Sequence, residues 1–170
     1  MSCLLEMNIP FCWSKIAKKD QDHFVIDFPM NHIAYTFLDQ NDECDIKKSN
    51  EFDSDLHRLE YKVNLILQML SQMMQRDSSL PARTTIRLGA DEIAWAGADA
   101  QIGEKYHVKL YINEHTKVPI QTVVRITKIE SGWCYGLLET QHPEEQSVWQ
   151  RWVFRQHRRK IANARAEASA

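Results

Sequence analysis

Thr84–Ile112 reads TTIRLGADEIAWAGADAQIGEKYHVKLYI, and this stretch decides the fold class. Val108, Leu110 and Ile112 alternate with His107, Lys109 and Tyr111, the period of a strand buried on one face. Thr84–Leu88 and Glu92–Trp95 are two further runs rich in β-branched and aromatic residues, closed off by Gly97 and Gly103. The same texture continues downstream. Tyr106–Ile112, Ile120–Ile129 and Trp133–Leu138 are strand candidates, separated by Asn113 and by a hairpin turn at Glu130-Ser131-Gly132. Short strands at this spacing predict an antiparallel barrel or sandwich.

Upstream of the strands the period changes. Phe52, Leu56, Leu59, Val63, Ile66, Leu70 and Met73 recur at spacings of four and three, the seam of a helix that packs against other helices. Leu56, Val63 and Leu70 take the a positions, and Leu59, Ile66 and Met73 the d positions. Leu67, Met69 and Met74 widen the seam at e and g, which favours assemblies larger than a dimer, with a tetramer expected. Asn50 is the expected cap, with Glu51, Asp53 and Asp55 beside the positive end of the helix dipole. Asp77, Ser78, Ser79 and Pro81 end it.

The rest of the chain is less regular. Cys3–Met7 is a short strand candidate ended by Asn8 and Pro10. His23–Phe28 and Ile33–Leu38 are apolar runs split by Pro29 and Asn31, predicted as strands or packed loop. Asp39–Asn50 is polar and without period, so it reads as a linker. A last helix is expected from Pro143, with Glu144 and Glu145 in its first turn and Trp149 and Trp152 on its docking face. It turns basic beyond Phe154, and Ala162–Ala170 is expected to fray. The domain reading is residues 1–50 as strands and acidic linker of the same domain, 51–77 as the heptad helix, 80–162 as barrel and closing helix, and 163–170 as a tail.

Composition narrows the function classes. The formal net charge is −2 over 170 residues, which gives no global attraction to nucleic acid or anionic lipid. Cys3, Cys12, Cys44 and Cys134 form no CxxC pair, and no secretory signal precedes them, so reduced thiols in a cytoplasm are expected. No apolar run approaches membrane-spanning length. The histidines form no HExxH, and there is no phosphate-binding glycine loop or nucleophile elbow. The chain is read as a non-enzyme without metal or cofactor.

Thr84–Ile112, Ile120–Leu138 and Glu144–Ile161 (EEQSVWQRWVFRQHRRKI) together resemble the strands and closing helix of a PilZ domain, the bacterial cyclic di-GMP receptor module. The heptad helix resembles the inserted helix of the atypical, tetrameric PilZ subfamily. The resemblance implies an α+β fold, with a six-stranded antiparallel β-barrel, a long heptad helix and a C-terminal helix. It also implies a regulatory role in second-messenger signalling, with motility or other signalling proteins as partners. Family members hold the dinucleotide through RxxxR and (D/N)xSxxG motifs. Here the second motif falls on Arg87-Leu88-Gly89-Ala90-Asp91-Glu92, where arginine replaces the acid or amide, Gly89 the serine and Glu92 the glycine. Arg83 and Arg87 have RxxxR spacing but overlap that second motif. The expectation is therefore an oligomeric interaction module without the usual ligand motifs. One alternative is a cyclic di-GMP receptor whose phosphates are held by Arg83, Arg87, Arg155, Arg158 and Arg159. Another, less favoured, is a nucleic-acid adaptor using the basic helix.

Overall fold

A computed structural model describes residues 4–21, 23–26, 28–43, 59, 62, 63, 66, 69, 70, 79–97, 99–114, 116–139 and 142–168. Six strands form a closed antiparallel barrel: β1 (Leu5–Lys15), β2 (Arg83–Leu88), β3 (Glu92–Ala96), β4 (Lys105–Leu110), β5 (Ile120–Glu130) and β6 (Trp133–Leu138), in the order β1-β2-β3-β6-β5-β4. The strand predictions downstream of residue 83 agree with this to within a residue or two at each end.

The first strand departs from expectation. It runs through Asn8 and Pro10 to Lys15, because it serves two neighbours in turn. Leu5–Pro10 pairs with β2 and Phe11–Lys15 with β4, which closes the barrel. Pro10 sits where the strand changes partner, so its missing N–H costs no ladder bond on either side. Phe11 N donates to the Ala82 carbonyl at 3.2 Å and Tyr111 N to the Pro10 carbonyl at 3.1 Å, carrying the backbone across that junction.

Alternation fills the interior. Ile86, Leu88, Ile93, Trp95, Val108, Leu110, Val124, Ile126 and Cys134 are wholly or almost wholly buried. Trp95 meets Phe11 at 5.6 Å and Trp13 at 5.9 Å between ring centroids, and Trp13 meets Tyr106 at 5.3 Å. Such tilted contacts add to the area these rings bury. The hairpin between β5 and β6 turns on Ser131 and Gly132, both with positive φ, at 52° and 79°. That is the backbone a two-residue turn needs to match strand twist.

Two helices cover the barrel. Of the two runs predicted as strands or packed loop, residues 23–26 are loop, while Ile33–Leu38 lies instead inside a helix, α1 (Phe28–Glu43), which also takes the first residues of the expected linker. Pro29 lies in its first turn, where a missing N–H is harmless. The closing helix, α2, starts at Pro143 as expected but continues to Ala168, so the frayed tail is not observed before that residue. Helix-favouring Ala and Arg dominate its end. Trp149 and Trp152 are buried against the helix-and-barrel core with Ala34, Tyr35 and Leu38 of α1. Trp149 Nε1 donates to the Gly89 carbonyl at 3.0 Å, while Gln150 Nε2 donates to Asp91 Oδ1 at 2.8 Å, clamping α2 onto the β2–β3 turn.

Candidate functional site

The outer wall of the barrel carries the two arginines of the RxxxR spacing. Ile86 and Leu88 point inward, so their neighbour Arg87 points outward. Register brings Glu6, Arg87, Ala94 and Tyr135 into one row across β1, β2, β3 and β6. Arg87 Nε donates to Glu6 Oε2 at 3.1 Å and one terminal nitrogen to the Tyr135 hydroxyl at 3.4 Å. Its guanidinium lies 3.9 Å from the centroid of Trp133, close enough for a cation–π stack. The hydrogen bond to Glu6 raises the arginine's pKa further above its ordinary value, so it is a permanent cation. Trp133 is thus a half-buried shelf on the outer wall.

A bulge extends this wall. The register between β5 and β6 shifts between Ile126 and Lys128, which sets Lys128 opposite Tyr135. Its ammonium lies 5.7 Å from the Tyr135 ring and pairs with Glu130. Arg83, at the start of β2, is held differently: it donates to Glu114 Oε1 at 2.5 Å and to the Asn8 carbonyl at 2.6 Å. Both guanidinium forks therefore already face carboxylates. A phosphate arriving at either would displace an acid and lose that charge-assisted bond.

Arg155, Arg158 and Arg159 stand elsewhere, on α2 beyond its last buried residue, Val153. Arg155 is six residues past the Trp149 anchor at Gly89, about 9 Å along the helix axis. Arg158 and Arg159 are exposed, and the Arg158 guanidinium lies 5.8 Å from the Phe154 ring. The partners that engage Arg83 and Arg87 had no sequence signal, because only the fold brings Glu114 to the first and Glu6, Trp133 and Tyr135 to the second.

The heptad segment is the other candidate surface. Leu59, Lys62, Val63, Ile66, Met69 and Leu70 are helical and exposed. Leu59 is 61% exposed, Ile66 56% and Leu70 50%, high values for aliphatic side chains. Phe52, Leu56 and Met73 of the same seam, and the expected Asn50 cap, lie outside the described residues. Among the described residues no cluster of His, Cys, Asp and Glu is arranged to hold a metal ion, and no helix is long and apolar enough to cross a membrane.

A closed six-stranded barrel, a seam-bearing helical segment before β2 and a closing helix clamped to the β2–β3 turn define a PilZ-type regulatory domain. Residues 36–166 match the family model described as "Atypical PilZ domain, cyclic di-GMP receptor", and the chain belongs to that family. Its fold is also similar to that of a pathogenic protein from Xanthomonas campestris, whose crystal structure is described as a tetrameric PilZ domain self-assembled via a helical bundle. The TM-score is 0.69 at 17% identity, over 95% of this chain and 91% of that one. Comparison with curated proteins found no match.

Proposed function

We propose that this chain is a non-enzymatic regulatory protein of bacterial cyclic di-GMP signalling that works as an assembly, joined through Phe52, Leu56, Leu59, Val63, Ile66, Leu70 and Met73. The observation that carries the reading is the exposure of Leu59, Val63, Ile66, Met69 and Leu70 on helical backbone. A continuous apolar seam left in water is stabilised by a second copy of itself, at about 25 cal/mol for each Å² covered. The width of the seam, with Met69 at g, favours four copies over two. The neighbour of known structure is a tetramer, which supports the same number. The protein works in the cytoplasm, with its barrel wall and α2 turned to signalling partners.

The ligand motifs are degenerate, and the arginines nearest to them are engaged by Glu6 and Glu114. The chain therefore passes on the state of the pathway through its partners rather than by holding the dinucleotide. Light scattering at tens of micromolar tests the assembly; a strict monomer refutes it. Calorimetry with cyclic di-GMP on the same sample tests the ligand. No heat is expected. Micromolar binding lost in Arg83→Ala or Arg87→Ala would instead establish a receptor with a non-standard site, for which the Arg87–Trp133 stack is the natural guanine shelf.

A further inference from the structure

The docked face of α2 ends by His157: Val153 is its last buried residue, and Arg155, Gln156 and His157 are half-buried. Glu145, Trp149, Trp152 and Val153 are buried, and every residue from Arg158 to Ala166 is exposed. The helix nevertheless continues to Ala168, and its outward side carries a second pattern with its own period. Phe154, Ile161 and Ala168 are spaced by seven, and so are Arg151, Arg158 and Arg165. At about 100° per residue the two rows lie side by side, roughly opposite Trp149 and Trp152. Successive members of a row stand about 10.5 Å apart. Phe154 is 63% exposed and Ile161 49%. The Arg158 guanidinium over the Phe154 ring puts the two rows in contact.

A helix face left in solvent has no use for a seven-residue repeat. A second helix reads such a repeat, seating its apolar residues along one row and choosing its partner by the flanking charge. A membrane surface asks for a broader apolar face than Phe154 and Ile161 provide. There is no Asp or Glu between Gln146 and Ala166, so the flank is cationic throughout. Arg151 and Arg165 also have contacts within the chain, which makes Arg158 the cation to test.

We propose that the outward face of α2, with Phe154 and Ile161 flanked by Arg158, docks a helix of another protein whose heptads set leucine-type residues against the apolar row and Glu or Asp against the arginines. This rests on the interaction-module reading and supplies its second interface, on a segment separate from the self-assembly seam.

The test uses the full chain and two fluorescein-labelled three-heptad peptides, with Leu at a and d and either Glu or Lys at e and g. Anisotropy should show micromolar binding of the Glu peptide and at least tenfold weaker binding of its Lys twin. Arg158→Glu, and Phe154→Ala with Ile161→Ala, should each weaken the Glu peptide at least tenfold, with helix content by circular dichroism unchanged. Equal binding of both peptides, no binding, or binding indifferent to these substitutions overturns the proposal. So does capture on phosphatidylglycerol vesicles with no peptide binding, which would assign the face to a membrane. Light scattering separates the two interfaces. The Phe154→Ala, Ile161→Ala variant should keep the wild-type mass; a fall would place the second helix in another copy of this chain. A monomeric wild type that still binds the Glu peptide refutes the assembly reading alone.

Discussion

Asn31 of α1 and Glu145 of α2 are joined by a buried hydrogen bond, Asn31 Nδ2 donating to Glu145 Oε2 at 3.0 Å. The other end of the same amide, Oδ1, accepts the Gln121 backbone N–H at 2.7 Å. One side chain thereby ties α1 to α2 and to β5. Glu145 is only 4% exposed, and its second oxygen makes no hydrogen bond. Burial pushes its pKa up, against the pull of Asn31, of the nearby His32 and His142, and of the His142 backbone N–H.

A carboxyl whose folded pKa is raised stabilises the fold fully below its unfolded value and loses that contribution as pH rises through the folded one. Glu145→Gln keeps an acceptor for Asn31 and removes the charge. The variant should therefore melt above the wild type at pH 8, with the gap closing as pH falls below 5. Calorimetry across that range checks it. A gap of the same size at both ends would show that the charge is not the cause.

Removing the amide should cost more. Asn31→Ala leaves the Gln121 N–H and the Glu145 carboxylate without their buried partner. At about 1–3 kcal/mol for each of the two unsatisfied groups, the expected loss is about 2–6 kcal/mol in urea unfolding. Asn31→Asp still accepts from Gln121 but sets a second carboxyl against Glu145. It should be worse at pH 8 than at pH 5, and Glu145→Gln should restore most of the difference. Failure of that rescue would break the link between the two residues.

This junction also marks where the sequence stops being readable. The barrel strands follow from local pattern, since Val108 and Leu110 alternate with His107 and Lys109, and the Ser131-Gly132 turn and the Pro143 start each carry their own signal. Residues 28–43 carry misleading ones. Pro29 and Asn31 look like breakers, yet the first is a helix-start residue and the second spends its side chain on tertiary partners rather than on its own backbone. The candidate site divides in the same way. The heptad seam is visible as a period. The pairing of Arg87 with Glu6 and its stack on Trp133 depend on strand register, which joins residues far apart in the chain.

Gly136 of β6 tests the packing of the barrel wall. A methyl built on it would run into Val124 Cγ1 and lie 2.9 Å from the Arg125 carbonyl oxygen. Backbone cannot yield as a flexible side chain can. Gly136→Ala should destabilise by about 1–3 kcal/mol, the usual cost of overpacking. Val124→Ala in the same chain should recover part of it by clearing the side-chain clash, while the carbonyl contact remains. Thermal melts of the single and double variants measure both terms.

The assembly seam makes the opposite kind of prediction, an effect on mass without one on the fold. Leu59 and Ile66 are consecutive d positions, both on helical backbone and both more than half exposed in the single chain, at 61% and 56%. Neither belongs to the buried barrel cluster. Leu59→Asp or Ile66→Asp therefore removes nothing from the core, whereas in an assembly it buries an uncompensated carboxylate once per copy, at several kcal/mol each. Light scattering should fall from the assembled mass to that of the single chain, while near-ultraviolet circular dichroism of Trp95 and its aromatic neighbours stays as in the wild type. Protonating the new carboxyl at pH 4 should restore part of the mass. If the aromatic signal is lost together with the mass, the segment packs on its own barrel and the seam is not an interface. Unchanged mass in both variants would show that the copies meet elsewhere.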